Sequence, residues 1–171
     1  MMFRDTKLHI DTSELLNQIN DNINLFGANK ARTAGDSPHR ESLDIWFRFG
    51  LGDNAVYEQS QWLDASSLCP SVKDVAYQVM KHNECGELGG ILCTKLPAGN
   101  KIHTHVDVGW HAERYKKYYI PIQADGGCEF VFDGEVIPEK IGSVWEFDNS
   151  YPHWVNNNSG RDRVALIICM R

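Results

Sequence analysis

From residue 89 onward the chain is a succession of short apolar runs cut by glycine, asparagine and aspartate. Runs at 91–96, 101–107, 117–123, 128–132, 135–138, 143–147, 153–156 and 163–169 read as strands. Gly99, Gly126-Gly127, Asp133-Gly134, Gly142 and Ser159-Gly160 supply the turns between them. Eight short strands at this spacing predict a mainly β fold, closed as a barrel or folded as a double-sheet jelly roll.

The first half has a different texture. Asp11-Thr12-Ser13 is a helix-start signal, and Leu15, Leu16 and Ile19 follow at helical spacing. Residues 27–42 are polar, with Lys30, Arg32, Ser37, His39 and Arg40 offering donors and little core, so a loop able to cover a substrate is expected. Residues 43–49 alternate as a strand, with Leu43, Ile45, Phe47 and Phe49 on one face and Asp44, Trp46 and Arg48 on the other. Gly50-Leu51-Gly52-Asp53 reads as a turn. After Pro70, Ser71 with Asp74 has the form of a capping box, and Val72, Val75, Ala76, Val79 and Met80 form the stripe of a helix closing near residues 83–86. With 171 residues, no internal repeat and no linker, one domain is expected: helices, polar loop and strand over 1–88, packed on a β core over 89–171.

A formal charge of −6 argues against nucleic acid as a partner, because phosphate recognition needs a basic surface. No apolar run approaches the length of a membrane span, and the N-terminus lacks an apolar signal core. The five cysteines are widely spaced, with no CxxC pair, as expected of reduced thiols in a cytoplasmic protein.

The residues with chemistry cluster in the β half. His103, His105 and Asp107 share one face of a regular strand, and His153 lies on a distant one. Two imidazoles and a carboxylate converging on one side of an ion, with the other side open, form the facial triad of non-haem iron oxygenases. His105, Asp107 and His153 can supply it; His103, His105 and His153 are an alternative set with Asp107 behind. Ten residues after His153, beyond a turn rich in Asn, Ser and Gly, Arg163 returns on an antiparallel strand toward the same place, with Arg161 a nearby rival. A guanidinium there suits a dicarboxylic ligand held by its far end.

Leu96-Pro97-Ala98-Gly99-Asn100-Lys101-Ile102 leading to His105-Val106-Asp107-Val108-Gly109, then Gly142-Ser143-Val144-Trp145-Glu146-Phe147-Asp148-Asn149 leading to His153, then Asn156 and Arg163-Val164-Ala165-Leu166-Ile167, resemble the aspartyl/asparaginyl β-hydroxylase-like family. Ser37-Pro38-His39 and Asp44-Ile45-Trp46-Phe47-Arg48 resemble its N-terminal region more loosely. The resemblance implies a double-stranded β-helix (jelly roll, cupin superfamily) with flanking N-terminal helices, using Fe(II), 2-oxoglutarate and O2. It implies His105, Asp107 and His153 as iron ligands and Arg163 as partner of the distal carboxylate of 2-oxoglutarate. Thr94 falls where the family places a hydroxyl residue toward the co-substrate. The family's Arg-x-His is replaced by Lys117-Tyr118-Tyr119, which makes Lys117 and Tyr119 the expected inner contacts, with a point charge where arginine would give a fork; Arg114 lies just before.

For the substrate, His39, Arg48, Trp110 and Trp145 are the candidate pocket residues, with His111 beside them. Arg32, Arg40 and Arg48 hint at an anionic group over the iron. The expected partner is a small molecule or a peptide, an amino-acid-like compound or an Asp/Asn side chain. His153-Trp154-Val155-Asn156-Asn157 also echoes cupins with four protein ligands, so a metal cupin enzyme of another class is the alternative, and a metal-free jelly-roll binding module a further one.

Overall fold

The computed structural model describes residues 1–50 and 60–171; of the turn read at residues 50–53, all but Gly50 lies outside the described residues. In chain order the strands are β1 Phe3–His9, β2 Leu43–Phe49, β3 Gln61–Trp62, β4 Leu88–Leu96, β5 Lys101–His105, β6 Lys116–Gln123, β7 Cys128–Phe132, β8 Glu135–Ile137, β9 Ser143–Phe147, β10 His153–Asn157 and β11 Arg163–Met170. The helices are α1 Ser13–Asp21, α2 Ala65–Leu68, α3 Ser71–His82 and α4 Trp110–Arg114. One sheet runs β1-β9-β6-β11-β4-β2-β3 and the other β5-β10-β7-β8. Strands β4 to β11 are the eight read from the sequence. They divide four to each sheet, all antiparallel, as a double-stranded β-helix.

Alternation along β11 explains the layers. Val164, Leu166, Ile168 and Met170 face outward into a core shared with Leu15 and Ile19 of α1 and Val72, Val75, Ala76 and Val79 of α3. Arg163, Ala165, Ile167 and Cys169 face inward, toward the space between the sheets. A strand covered on both faces needs apolar residues at nearly every position, which is why 163–170 reads as a continuous run. The smaller sheet closes the other side with Phe130, Phe132, Ile137 and Val155.

Three expectations need correction. β1 has no clear alternation and was not foreseen; it joins the larger sheet by pairing with β9, where the Thr6 hydroxyl donates to the Val144 carbonyl at 2.7 Å. The start of α3 carries no side-chain cap; the Ser71 N–H instead donates to Gln18 Oε1 of α1 at 3.1 Å, so a neighbouring helix supplies the acceptor that the capping box would have held. β5 ends at His105, two residues short of Asp107. All five cysteines are free thiols, and among the described residues no helix is long and apolar enough to cross a membrane.

Candidate metal centre

Between the sheets lies a cavity of about 540 Å³, and His105, Asp107 and His153 all line it. β10 runs beside β5 with His153 directly opposite His105, and the two rings lie 4.3 Å apart between centroids. The next matched pair is Val155 with Ile102, so three residues of β5 span two of β10. That bulge brings His105 to the cavity on the same side as Ile102, which a regular strand would forbid at a separation of three. His103 is turned the other way. Its Nε2 bonds Glu41 Oε1 at 2.7 Å, and it does not line the cavity, which removes the geometric basis for the set His103, His105 and His153.

Hydrogen bonds define which nitrogen each imidazole offers. His105 Nδ1–H donates to the His103 carbonyl at 2.7 Å, and His153 Nδ1–H donates to the Tyr151 carbonyl at 2.8 Å. A carbonyl can only accept, so both protons sit on Nδ1 and both Nε2 lone pairs are free to bind a metal. Those two atoms stand 3.7 Å from Asp107 Oδ1 and 4.0 Å from Asp107 Oδ2 respectively. Burial pushes the His153 pKa down to about 4 and also lowers that of His105, so both rings are neutral at pH 7. Burial would raise the Asp107 pKa, but the Lys117 ammonium with which it is paired, and the two histidines, bring it below the usual carboxylate range. Two neutral nitrogens and one anionic oxygen on one side of a cavity fit a divalent ion with open positions.

His39 also brings a ring nitrogen within 4.8 Å of the ligand atoms of His105 and Asp107. It is not equivalent to the other two. Arg32 Nη2 donates to His39 Nδ1 at 2.7 Å, and a guanidinium has no lone pair to accept with. His39 Nδ1 is therefore an occupied acceptor and Nε2 carries the proton, so neither nitrogen is free to ligate. His105 and His153 are the pair offering lone pairs to a metal.

The expected co-substrate residues line the same cavity. Arg163, 2% exposed, enters from β11, and Lys117 and Tyr119 from the neighbouring β6. Arg163 Nη2 donates to the Tyr119 hydroxyl at 2.6 Å, and Tyr119 in turn donates to Glu139. Arg163 Nε and Nη2 both lie 3.0 Å from Glu139 Oε1. Among the described residues no side chain bonds Nη1, which leaves that edge for a ligand. Glu139 was not foreseen: it sits in the irregular segment after β8, with no local sequence sign that it reaches Arg163. Thr94 lines the cavity but is engaged by protein, donating to Asp44 Oδ1 at 2.9 Å and accepting from Arg32 Nη1 at 3.1 Å.

Of the expected substrate residues, His39 and its neighbour candidate His111 line the cavity; Arg48, Trp110 and Trp145 do not. The register of β2 against β4 shifts between Trp46 and Arg48, so Phe49 takes the inward place, while the Arg48 guanidinium lies over Trp62, 5.2 Å from its ring centroid. Trp145 is covered by Phe3 of β1 and donates to the Ser143 hydroxyl at 3.0 Å, because β1 occupies the side of β9 that the sequence left bare. Trp110 packs on His111 and Tyr115 outside the cavity wall. Trp46 was read only as an alternating strand residue, yet it lines the cavity.

The family model of aspartyl/asparaginyl beta-hydroxylases matches residues 7–171. No curated protein matches the sequence. Among solved structures, a Trichoplax adhaerens prolyl hydroxylase in complex with a hypoxia inducible factor peptide fragment superposes with a TM-score of 0.67 at 14% identity, covering 98% of this chain and 81% of that one. A viral collagen prolyl hydroxylase from Paramecium Bursaria Chlorella virus-1, solved as its 2OG complex, gives 0.62 at 13% identity over 100% and 96%. A Pseudomonas putida prolyl-4-hydroxylase gives 0.57 at 13% identity over 99% and 91%. At these identities the likeness is one of fold.

Proposed function

We propose that this chain, which belongs to the aspartyl/asparaginyl β-hydroxylase family, is an Fe(II)- and 2-oxoglutarate-dependent oxygenase that hydroxylates an amino-acid-like small molecule or an Asp/Asn side chain, free or in a peptide, in the cytoplasm. The observation that carries the reading is the tautomer pair: His105 and His153 both tied at Nδ1 and both presenting Nε2 beside Asp107, in a cavity that also holds the buried Arg163.

On this reading His105, Asp107 and His153 hold the iron. Arg163 and Tyr119 receive the distal carboxylate of 2-oxoglutarate, and the Lys117 ammonium is placed for an anionic group nearer the metal. Bound there, Fe(II) with 2-oxoglutarate and O2 supplies the oxidising power to hydroxylate an unactivated C–H bond, leaving succinate and carbon dioxide. The aromatic wall does the rest. Phe132 stacks on His153 at 5.2 Å between centroids, and Phe130 and Phe147 close around it at 5.8 Å each, keeping bulk water from the imidazole and from whatever is bound beside it.

The test is anaerobic addition of Fe(II) and 2-oxoglutarate, read as the visible charge-transfer band of the chelate. The wild-type protein is expected to show the band. His105→Ala should lose it, and Arg163→Lys should weaken 2-oxoglutarate about 10-fold or more, since a charged, forked hydrogen-bond donor is replaced by a point charge. A wild type without the band, or Arg163→Lys with unchanged affinity, overturns the assignment.

A further inference from the structure

Three cations line the cavity among the described residues: Arg32, Lys117 and Arg163. Lys117 and Arg163 enter from β6 and β11, the side assigned above to the co-substrate. The adjoining side, made by β4 and β2 of the same sheet and the loop over residues 29–42, has Arg32 alone, and its charge is matched. Arg32 Nη1 lies 3.1 Å from both oxygens of Asp44, a carboxylate with no exposure to solvent. Residues 51–59, outside the described chain, contain no Lys, Arg or His, so they bring no further cation.

What remains on that side is neutral. Trp46, Phe49 and Leu92 are the apolar walls, and Gly90 lets the floor approach them closely, since a Cβ there would stand 3.1 Å from Phe49 Cδ2. The hydrogen-bonding groups are neutral donors. His39, 7% exposed, carries its proton on Nε2 because Arg32 occupies Nδ1, and no described residue accepts that proton. The Trp46 indole N–H is buried with no partner among the described residues, a state that native proteins rarely leave unexplained.

We infer, resting on the oxygenase reading, that the substrate side receives a neutral, apolar group bearing a carbonyl, such as a residue within a peptide or an amide-capped amino acid, with His39 donating to the carbonyl. A free α-carboxylate would meet an Arg32 whose Nη1 is engaged by Asp44 and Thr94 and whose Nη2 is engaged by His39, unlike Arg163 with its open Nη1 edge, and an uncompensated buried charge is far costlier than a hydrogen-bonded amide. A free amino acid also carries an α-ammonium, so the N-acetyl amino acid, which differs from its methylamide in the carboxylate alone, is the matched probe.

The experiment uses the anaerobic protein loaded with Fe(II) and 2-oxoglutarate, and follows the shift of the charge-transfer band on adding N-acetyl amino-acid methylamides of Pro, Leu, Ile and Val or the corresponding N-acetyl amino acids with the carboxylate free. At least one capped probe is expected to shift the band at a concentration about 10-fold or more below its free counterpart, in keeping with the cost of burying an unpaired carboxylate. His39→Phe, which keeps a ring and removes the donor, should weaken the capped probe while the band itself persists. Asp44→Asn, which leaves Arg32 without its counter-charge, should shift preference toward the free acids; the band reports that this variant is folded. Free acids acting at equal or lower concentration than the capped probes, or no response from either, overturns the inference. A wild type lacking the band refutes the oxygenase reading instead. Binding is then read by saturation-transfer NMR, where preference for the free acids still overturns the substrate assignment.

Discussion

Glu139→Gln is the substitution that most directly probes the proposed co-substrate pocket. Arg163 and Glu139 are 2% and 8% exposed in their side chains and face each other at 3.0 Å. Removing one charge of a buried pair leaves the other uncompensated, at a cost of about 3–5 kcal/mol. Glutamine keeps the shape and an acceptor for Arg163 Nε, which places the expected loss near the lower end, about 3 kcal/mol. For a chain of this size 1 kcal/mol moves the midpoint by about 2–4 °C, so the ligand-free variant should melt about 6–12 °C below wild type. The response to 2-oxoglutarate should change in the opposite sense. In wild type the distal carboxylate meets a guanidinium already neutralised by Glu139; in the variant it restores the missing counter-charge. A ligand at 100 times its dissociation constant stabilises by about 2.7 kcal/mol, and the variant, binding more tightly, should gain more at any fixed concentration. Scanning fluorimetry of both proteins with and without 2-oxoglutarate reads both effects. An unchanged midpoint for the ligand-free variant, or a smaller 2-oxoglutarate upshift than in wild type, refutes the claim that Glu139 is the resident counter-ion of that site and points instead to a role in aiming Arg163.

Other predictions concern neighbouring parts of the molecule. His103→Ala should spare iron binding, because its ring belongs to Glu41, whereas His105→Ala should abolish it; isothermal titration with Fe(II) under argon separates them, and the reverse result would restore the set that includes His103. Glu87 is held by the Tyr115 hydroxyl first, and by Arg171 and Arg114, which draw its pKa down to about 2 from the ordinary 4.5. A depressed carboxylate stabilises the fold fully above its ordinary pKa and loses that contribution as pH falls toward the folded value, so Glu87→Gln should flatten the denaturation profile between about pH 5 and pH 2; a profile with unchanged slope would show that the cluster does not act. Phe47→Ala, at a fully buried site between the larger sheet and the helices, should cost about 3–5 kcal/mol in urea unfolding, and less than 1 kcal/mol would contradict the packing described.

The parts of the fold legible in the sequence are those whose residues carry their own signal. β4 and β11 could be read because strands covered on both faces are apolar nearly throughout, the shorter β5 to β10 because turn residues cut the chain between them, and α1 and α3 because Leu15, Ile19, Val72, Val75 and Val79 recur at helical period. β1 carried none of this, since its place depends on the free edge of β9 rather than on its own pattern. The candidate metal ligands were legible as types, but their convergence comes from a bulge that alternation cannot foresee, and a regular β5 would have kept His103 level with His105. Least legible was the charge of the cavity. Read along the chain, Arg32, Lys117 and Arg163 have no visible partners, whereas a low-dielectric interior admits each only with a counter-ion, and Asp44, Asp107 and Glu139 come from elements that no local pattern links to them. The three pairs are not alike. Asp44 also holds Thr94, and Glu139 also holds Tyr119, so each belongs to a wider hydrogen-bonded network of protein groups. Asp107 alone stands between a lysine and two free imidazole lone pairs, and a divalent ion drawn to those three groups competes with Lys117 for the carboxylate. The pair that a metal can loosen is therefore the one whose cation would be released toward an anionic ligand, and the affinity of glutarate, a dicarboxylate without a chelating oxo group, measured by calorimetry should rise when the metal is present and lose most of that dependence in Lys117→Met.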